Sequence, residues 1–181
     1  MKKTQSQVDE DSVAQFLEGY NLQVQRLPEK DTNTPDFLVS SANGFSFYCE
    51  VKGIEGIPLN KPFLYKKAND RLKEDLKKAS AQFRAVNSAR LAPNVLAWVS
   101  HDQRITALDD LILLIEGYRI SPGMEGWAQP GFQFRKIVKY KTDIDLFILI
   151  AKRGGPSSRP SFLMNDNQKD FTTRLCSIFQ L

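Results

Sequence analysis

Hydrophobic residues at helical spacing predict four helices along the chain. In Gln7–Gly19 apolar positions recur every three or four residues, and Gly19 with the following asparagine supplies a stop signal. A longer helix is predicted over Ala68–Ala89, a leucine- and isoleucine-rich helix over Ala107–Tyr118, and a short final helix over Asp166–Phe179. The apolar stripe of the second helix consists of Leu72, Leu76, Ala79, Phe83 and Val86.

Runs rich in β-branched and aromatic residues predict strands between these helices. A short segment of ambiguous parity, Leu22–Leu27, is followed by Phe37–Ser40 and Phe45–Lys52, which four turn-forming residues separate as in a hairpin. Val95–Ser100 and Ile144–Ala151 are more continuously apolar, as buried strands are.

The order of these elements predicts an α/β fold, in which helices flank a central mixed β-sheet. The predicted order is α-β-β-β-α-β, with further α and β additions towards the C-terminus. Glycine and proline make Gly53–Pro62 a predicted loop, and residues 152–165 a flexible connection to the last helix. The length suits a single domain over residues 1–181.

Composition narrows the class of protein. The chain is 41% hydrophobic and 25% charged, and no apolar run approaches the roughly 18 residues of a membrane helix. Its N-terminus lacks the apolar stretch of a signal peptide, so we expect a cytoplasmic protein. The two cysteines, Cys49 and Cys176, have no zinc or disulfide spacing. The net charge of +4 permits an anionic partner without requiring one.

Strand alternation brings chemistry-bearing side chains to one face of the predicted hairpin. Glu50 and Lys52 share a face and lie about 6.6 Å apart along the strand, and Asp36 on the adjacent strand can lie beside them. Two carboxylates and the Val51 backbone carbonyl would suit Mg²⁺ or Mn²⁺, hard ions that prefer oxygen ligands and retain several waters. A lysine beside such an ion suits phosphodiester hydrolysis, which requires an activated water and neutralised phosphoryl charge.

The string Pro35-Asp36, followed by Glu50-Val51-Lys52, resembles the bipartite motif of the PD-(D/E)XK nuclease superfamily. The resemblance covers roughly the first 100 residues. It implies a restriction endonuclease-like core, metal binding by Asp36 and Glu50, and a water-positioning or water-activating role for Lys52.

Two further segments resemble parts of this superfamily. Glu10 opens a stretch similar to a first-helix pattern that supplies another carboxylate, which implies that Glu10 contacts the metal through water. The alternative is a solvated first-turn acid that the helix dipole favours, as Asp9 or Asp11 could equally be. The segment from Lys77 to Phe83 is similar to a helix that adds a lysine or glutamine to the site.

On that helix the candidate catalytic residue is Gln82. At about 100° per residue, Lys67, Arg71 and Lys78 fall within roughly 60° of one another and of Gln82, so they could contact nucleic-acid phosphates. Glu74 interrupts this stripe, and a solvated helix face with a Glu74–Lys78 pair is the alternative.

Other motifs carry less weight. Asp75-Leu76-Lys77 also fits the short [DE]-x-K string, but inside a helix these side chains point about 200° apart, so we interpret it as a decoy. His101 is interpreted as part of a surface turn and Trp98 as a core residue, while Trp127 is the better candidate for a surface aromatic. Serine hydrolase, Walker and dinucleotide-binding motifs are absent from the sequence.

Together these patterns favour a metal-dependent nuclease that hydrolyses DNA phosphodiester bonds. RNA hydrolysis stays open, as does a role in restriction, repair or a mobile element. The alternative from another class is a module with this fold that binds nucleic acid or protein without turnover. A homodimer could form through Ala107–Tyr118 or the C-terminal segment.

Overall fold

The computed structural model describes nine parts of the chain: residues 3–28, 33–56, 65–102, 105, 118–120, 128–130, 142–152, 160–165 and 168–181. The described helices are α1 (Gln5–Glu18), α2 (Tyr65–Val86) and α3 (Lys169–Phe179). The described strands are β1 (Gln23–Arg26), β2 (Phe37–Ser40), β3 (Ser46–Ile54), β4 (Asn94–Ser100), β5 (Tyr118–Ile120), β6 (Ala128–Pro130), β7 (Leu146–Ala151) and β8 (Ser161–Met164).

Six of these strands form a mixed sheet in the order β1-β2-β3-β4-β7-β8. The central pairs β3–β4 and β4–β7 are parallel, and the outer pairs are antiparallel. The predicted α/β class and mixed sheet flanked by helices are confirmed. The described elements follow the predicted order α-β-β-β-α-β from α1 to β4. A separate two-stranded sheet, β5–β6, was not predicted.

The sheet has a hydrophobic core on each face. On the first face, α1 and α3 pack against alternate strand residues such as Phe47, Cys49 and Val51. On the second, four residues of the predicted α2 stripe, Leu72, Leu76, Ala79 and Phe83, pack against Leu96 and Trp98 of β4. The fifth, Val86, is 38% exposed at the end of the helix, so its assignment to the stripe was wrong. Because strand side chains alternate between faces, Glu50 and Lys52 point towards α2. The charged face of the hairpin strand is therefore also the face that α2 covers.

Among the element boundaries that differ from the prediction, two follow from local geometry and tertiary pairing. Helix α1 begins at Gln5 because Thr4 forms a capping box with Gln7, each side chain accepting a hydrogen bond from the other residue's backbone nitrogen. Strand β3 continues through Gly53 to Ile54, where a loop was predicted, because parallel pairing with β4 satisfies its backbone.

Other predictions concern segments that the structure describes only in part. Residues 161–164, predicted to lie in a flexible connection, form β8 against β7, with Phe162 and Met164 packed on the first core. Tyr118, the predicted end of a helix, belongs to β5, and the rest of that helix lies outside the described residues. Trp127 and most of the predicted Gly53–Pro62 loop lie outside them as well.

A buried polar network fixes the amino ends of the parallel strands. Asp145 is fully buried, accepts a hydrogen bond from the Asn94 backbone nitrogen at 2.8 Å, and pairs with Arg90 at 2.6 Å. The Asn94 amide donates to the Asp143 carbonyl at 2.7 Å, and Arg84 pairs with the Asp143 side chain at 2.8 Å. These contacts join the end of α2 to β4 and β7, and so fix the position of the helix over the sheet.

Candidate active site

The β2–β3 hairpin brings the two predicted metal-binding carboxylates together. Phe37 is opposite Cys49 in the antiparallel register, which places Asp36 beside Glu50. The Asp36 carboxylate accepts a hydrogen bond from the Val51 backbone nitrogen at 2.7 Å, which fixes its orientation at the end of β2. The negative charge of Asp36 also raises the pKa of Glu50, as expected for neighbouring carboxylates.

Glu50 is the most buried acid of this group, with 1% of its surface exposed. Its Oε1 accepts a hydrogen bond from the Lys52 ammonium, whereas no group in the described part of the chain meets hydrogen-bond geometry with its buried Oε2. Burial and the charge of Asp36 raise the pKa of Glu50 to about 7, against the opposing effects of Lys52 and Gln82. Glu50 therefore changes charge close to neutral pH.

One side of α2 runs along this group. Gln82, predicted to join the site, donates to the Thr34 carbonyl at 3.0 Å, and hydrogen bonding by its side chain lowers the pKa of Glu50. About three turns towards the N-terminus, Arg71 donates to the Gly53 carbonyl at 3.3 Å and pairs with Glu55. The helix therefore spans the site from the start of β2 to the end of β3.

The predicted phosphate-binding residues of α2 differ in what the structure gives for them. Arg71 and Lys78 are exposed, as contacts to a phosphate backbone require. The side chain of Lys67 lies outside the described part of the structure. Burial raises the pKa of a nearby acid, Asp75, and the charge of Lys78 is among the effects that lower it.

Asp75 is the residue of this site that sequence reasoning missed. It does lie inside a helix, as predicted, so its string is not a second strand motif. Yet the side chain is half-buried, and Lys52 is the strongest of the charges that lower its pKa, against the raising effect of burial. The available signal was helical spacing, because Asp75 lies four residues after Arg71 and seven before Gln82.

Glu10 lies on the other side of the hairpin, at a cavity of about 670 Å³ that Asp36 also lines. Its carboxylate is paired with Arg26 and accepts a hydrogen bond from the Ser6 hydroxyl at 3.0 Å. Arg26 also lies 5.1 Å from the ring centre of Phe37. Glu10 is thus a nearly buried, ion-paired residue rather than a solvated first-turn acid, and its predicted contact with metal stays a prediction.

His101 is not part of a solvated turn as the sequence suggested. Its Nε2 lies 2.8 Å from Oδ1 of Asp9, which is only 3% exposed, and Gln5 donates to the same oxygen at 3.0 Å. A side chain at Gly53 would clash with this carboxylate, since a Cβ there would lie 2.5 Å from Asp9 Oδ2. These contacts fix α1 to the carboxyl end of β3.

The donor set at the hairpin fits a magnesium-like ion better than a transition metal. Across the residues that the structure describes, no three His, Cys, Asp or Glu side chains are grouped as a metal site. Mg²⁺ is commonly bound by one or two carboxylates and retains several waters. The unpartnered, buried Oε2 of Glu50 is an oxygen that such a cation would satisfy.

Comparisons with known proteins give one structural match. No protein-family model matches the chain, and no curated protein matches it. The solved structure of SfsA from Pyrococcus furiosus in complex with Ca²⁺ is similar, with 12% sequence identity and a TM-score of 0.31. The match covers 88% of this chain and 59% of the SfsA chain. A similarity this low carries no argument about function.

In the described residues, no helix is both long and apolar enough to cross a membrane.

Proposed function

We propose that this protein is a metal-dependent nuclease of the PD-(D/E)XK type that hydrolyses DNA phosphodiester bonds. The observation that carries the proposal is the convergence of Asp36, Glu50 and Lys52 on neighbouring strands, with one buried oxygen of Glu50 that no described residue meets at full hydrogen-bond geometry. An unpaired buried oxygen costs about 1–3 kcal/mol, so its presence beside a second carboxylate favours a cation there.

In this proposal, Asp36, Glu50 and the Val51 carbonyl would hold Mg²⁺ or Mn²⁺, and Glu10 would contact it through water. The ion would supply charge neutralisation at the phosphoryl group and lower the pKa of an attacking water. Lys52 would orient that water and stabilise the charge developing on the phosphate. Gln82 would orient the Glu50 carboxylate, whose pKa its side chain already lowers.

Substrate would approach from the side on which α2 presents its basic residues. Arg71 and Lys78 are exposed, and with Lys67 they would contact backbone phosphates rather than bases. Such contacts bind without sequence preference and weaken as salt is added. DNA is preferred to RNA on the resemblance to restriction endonuclease-like enzymes alone, so both substrates belong in the test.

A cleavage assay with Mn²⁺ or Mg²⁺ on single-stranded, duplex and branched DNA, and on RNA, tests the proposal. We expect cleavage by the wild type and a loss of at least about 100-fold in Asp36→Ala and in Lys52→Ala, as for groups that act on transition-state charge. Asp170→Ala is a matched control, since Asp170 is an exposed acid in the first turn of α3. Equal cleavage by wild type and both site variants would refute the assignment.

A non-catalytic nucleic-acid- or protein-binding module is the second candidate, and one observation favours it. Both carboxylates already have internal partners, Asp36 with the Val51 nitrogen and Glu50 with Lys52. Binding to the folded state raises thermal stability, by about 2.7 kcal/mol at a ligand concentration 100 times its dissociation constant. We expect Mn²⁺ to raise the Tm of the wild type but not of Asp36→Ala. No shift in the wild type would favour the binding module.

A further inference from the structure

The pairing of Lys52 with Glu50 raises a question about the proposed function, on which this inference rests. Glu50 Oε1 accepts a hydrogen bond from the Lys52 ammonium, and 20% of the Lys52 side-chain surface is exposed. A long lysine side chain needs a partner of fixed position if its ammonium is to remain in one place. When the Glu50 carboxylate binds a cation, its electrostatic attraction for the Lys52 ammonium becomes weaker. A second acid beside Lys52 would then be required.

Asp75 lies on the part of α2 that covers the Glu50–Lys52 segment of β3, where such an acid is needed. A hydrogen bond lies on either side of it along the helix: Arg71 donates to the Gly53 carbonyl near the end of β3, and Gln82 donates to the Thr34 carbonyl just before β2. Residues four and seven apart lie on the same side of a helix, so Asp75 lies between Arg71 and Gln82 on the side of α2 that covers the hairpin. The intervening part of β3 is the segment that carries Glu50 and Lys52.

The packing around Asp75 supports the same placement. Its neighbours Leu72 and Leu76 are buried against Trp98, and Trp98 is directly opposite Lys52 in the β3–β4 register. The Trp98 indole Nε1 is buried without an acceptor at full hydrogen-bond geometry in the described residues, and it lowers the pKa of Asp75. Asp75 therefore lies on the part of α2 that packs over Trp98, which is directly opposite Lys52 in the sheet, and the charge of Lys52 acts on it.

We propose that Asp75 is a positioning residue that holds the Lys52 ammonium over the active site while Glu50 binds the metal. Asp75 touches neither metal nor substrate in this proposal and acts through Lys52. Lys52 donates to the Glu50 carboxylate, and its charge also acts on Asp75. When Glu50 binds the cation, Asp75 would be the acid on α2 that still attracts the Lys52 ammonium. An acid two turns before Gln82 thus belongs to the same functional group as the hairpin motif.

Kinetics of the full-length protein provide the first test. Asp75→Asn keeps the shape of the side chain and an acceptor for Trp98, but removes the charge that attracts Lys52. At saturating Mn²⁺ we expect kcat for DNA cleavage to fall about tenfold, with KM and the half-saturating Mn²⁺ concentration unchanged. Asp75→Glu should recover part of the loss. The control is Asp70→Asn, an exposed acid of α2 that pairs with Lys73 at 3.4 Å.

Chemical labelling of Lys52 provides a second test that does not depend on activity. At saturating Mn²⁺ we expect acetic anhydride at low concentration to acetylate Lys52 about two- to fivefold faster in Asp75→Asn than in wild type, as for loss of one attractive charge near a partly exposed ammonium. The exposed Lys169 serves as an internal reference for peptide mass spectrometry, and thermal melts confirm folding of each variant.

The two measurements separate failure of this inference from failure of the proposed function. Unchanged Lys52 labelling in Asp75→Asn would overturn the positioning role, even if the wild type cleaves DNA. Faster labelling would support the contact even if no cleavage is found in any variant, and the nuclease proposal alone would then fail. If Asp75→Asn and Asp70→Asn have the same kcat in an active enzyme, Asp75 has no positioning role.

Discussion

The ionised form of Glu50 should destabilise the fold, and Glu50→Gln tests this directly. Burial is the largest cause that raises the pKa of Glu50, from its ordinary value of 4.5 to about 7. Since one pH unit corresponds to about 1.4 kcal/mol, this rise is equivalent to about 3 kcal/mol. The side chain is only 1% exposed, so solvent screens little of it. Because Lys52 loses its partner in the variant, we expect a net gain of about 1–3 kcal/mol at pH 8.

The pH dependence follows from proton linkage. Between pH 4.5 and about 7 the folded state binds more protons at Glu50 than the unfolded state does. Stability from this group is therefore fully present below pH 4.5 and is lost as pH rises through about 7. The glutamine variant carries no such charge, so its advantage over wild type should appear across this window and reach a plateau above it.

Urea unfolding at pH 5 and pH 8, at constant ionic strength and without divalent metal, measures the effect. At each pH, the free energy of unfolding of the wild type is subtracted from that of the variant. The test compares this difference at pH 8 with the same difference at pH 5. Glu74→Gln is the matched control, since Glu74 is an exposed acid of α2, and it should show no such change. If Glu50→Gln gains no more at pH 8 than at pH 5, burial does not dominate the energetics of this carboxylate.

Two further predictions concern the packing that positions the site. Asp145→Ala should cost about 3–5 kcal/mol in urea unfolding, because it leaves the Arg90 charge unpaired and the Asn94 nitrogen without its acceptor. A cost under about 1 kcal/mol, as at an exposed pair, would contradict this. Phe179→Ala should cost about 3–5 kcal/mol, since the ring is 2% exposed and packs on four other aromatic rings. An unchanged urea midpoint would show that α3 is not required for the fold.

The hairpin could be predicted from sequence because its determinants are local. Strand β2 has the predicted bounds Phe37–Ser40, and the alternation in β3 placed Glu50 and Lys52 on one face and Cys49 on the other. Period-two patterning and a short turn signal require no knowledge of distant residues. The proximity of Asp36 to Glu50 then follows from the antiparallel register.

The parts that sequence missed depend on contacts between distant residues. Glycine at position 53 signalled a loop, but β4 pairs with it and extends the strand. His101 gave no sign of its partner, because Asp9 lies in another element and only the packing of α1 brings the two together. From the sequence we interpret Asp75-Leu76-Lys77 as a decoy, because the string lies inside a helix. The role proposed for Asp75 depends instead on where α2 lies over the sheet. Local patterns specify elements, and tertiary packing decides which neighbouring elements share a site.

The sheet order also has a consequence for how the protein folds. Asp36 and Glu50 meet within a local hairpin, of a kind that forms in about 1–10 μs. The parallel pairs instead join distant segments, as when Leu96 pairs with Phe147, and topologies dominated by such pairs fold in milliseconds to seconds. We therefore expect the two carboxylates to come together early and to lose water later, when β4 and α2 dock. The charge on Glu50 should slow that docking step, so refolding should be slower at alkaline pH than at pH 5.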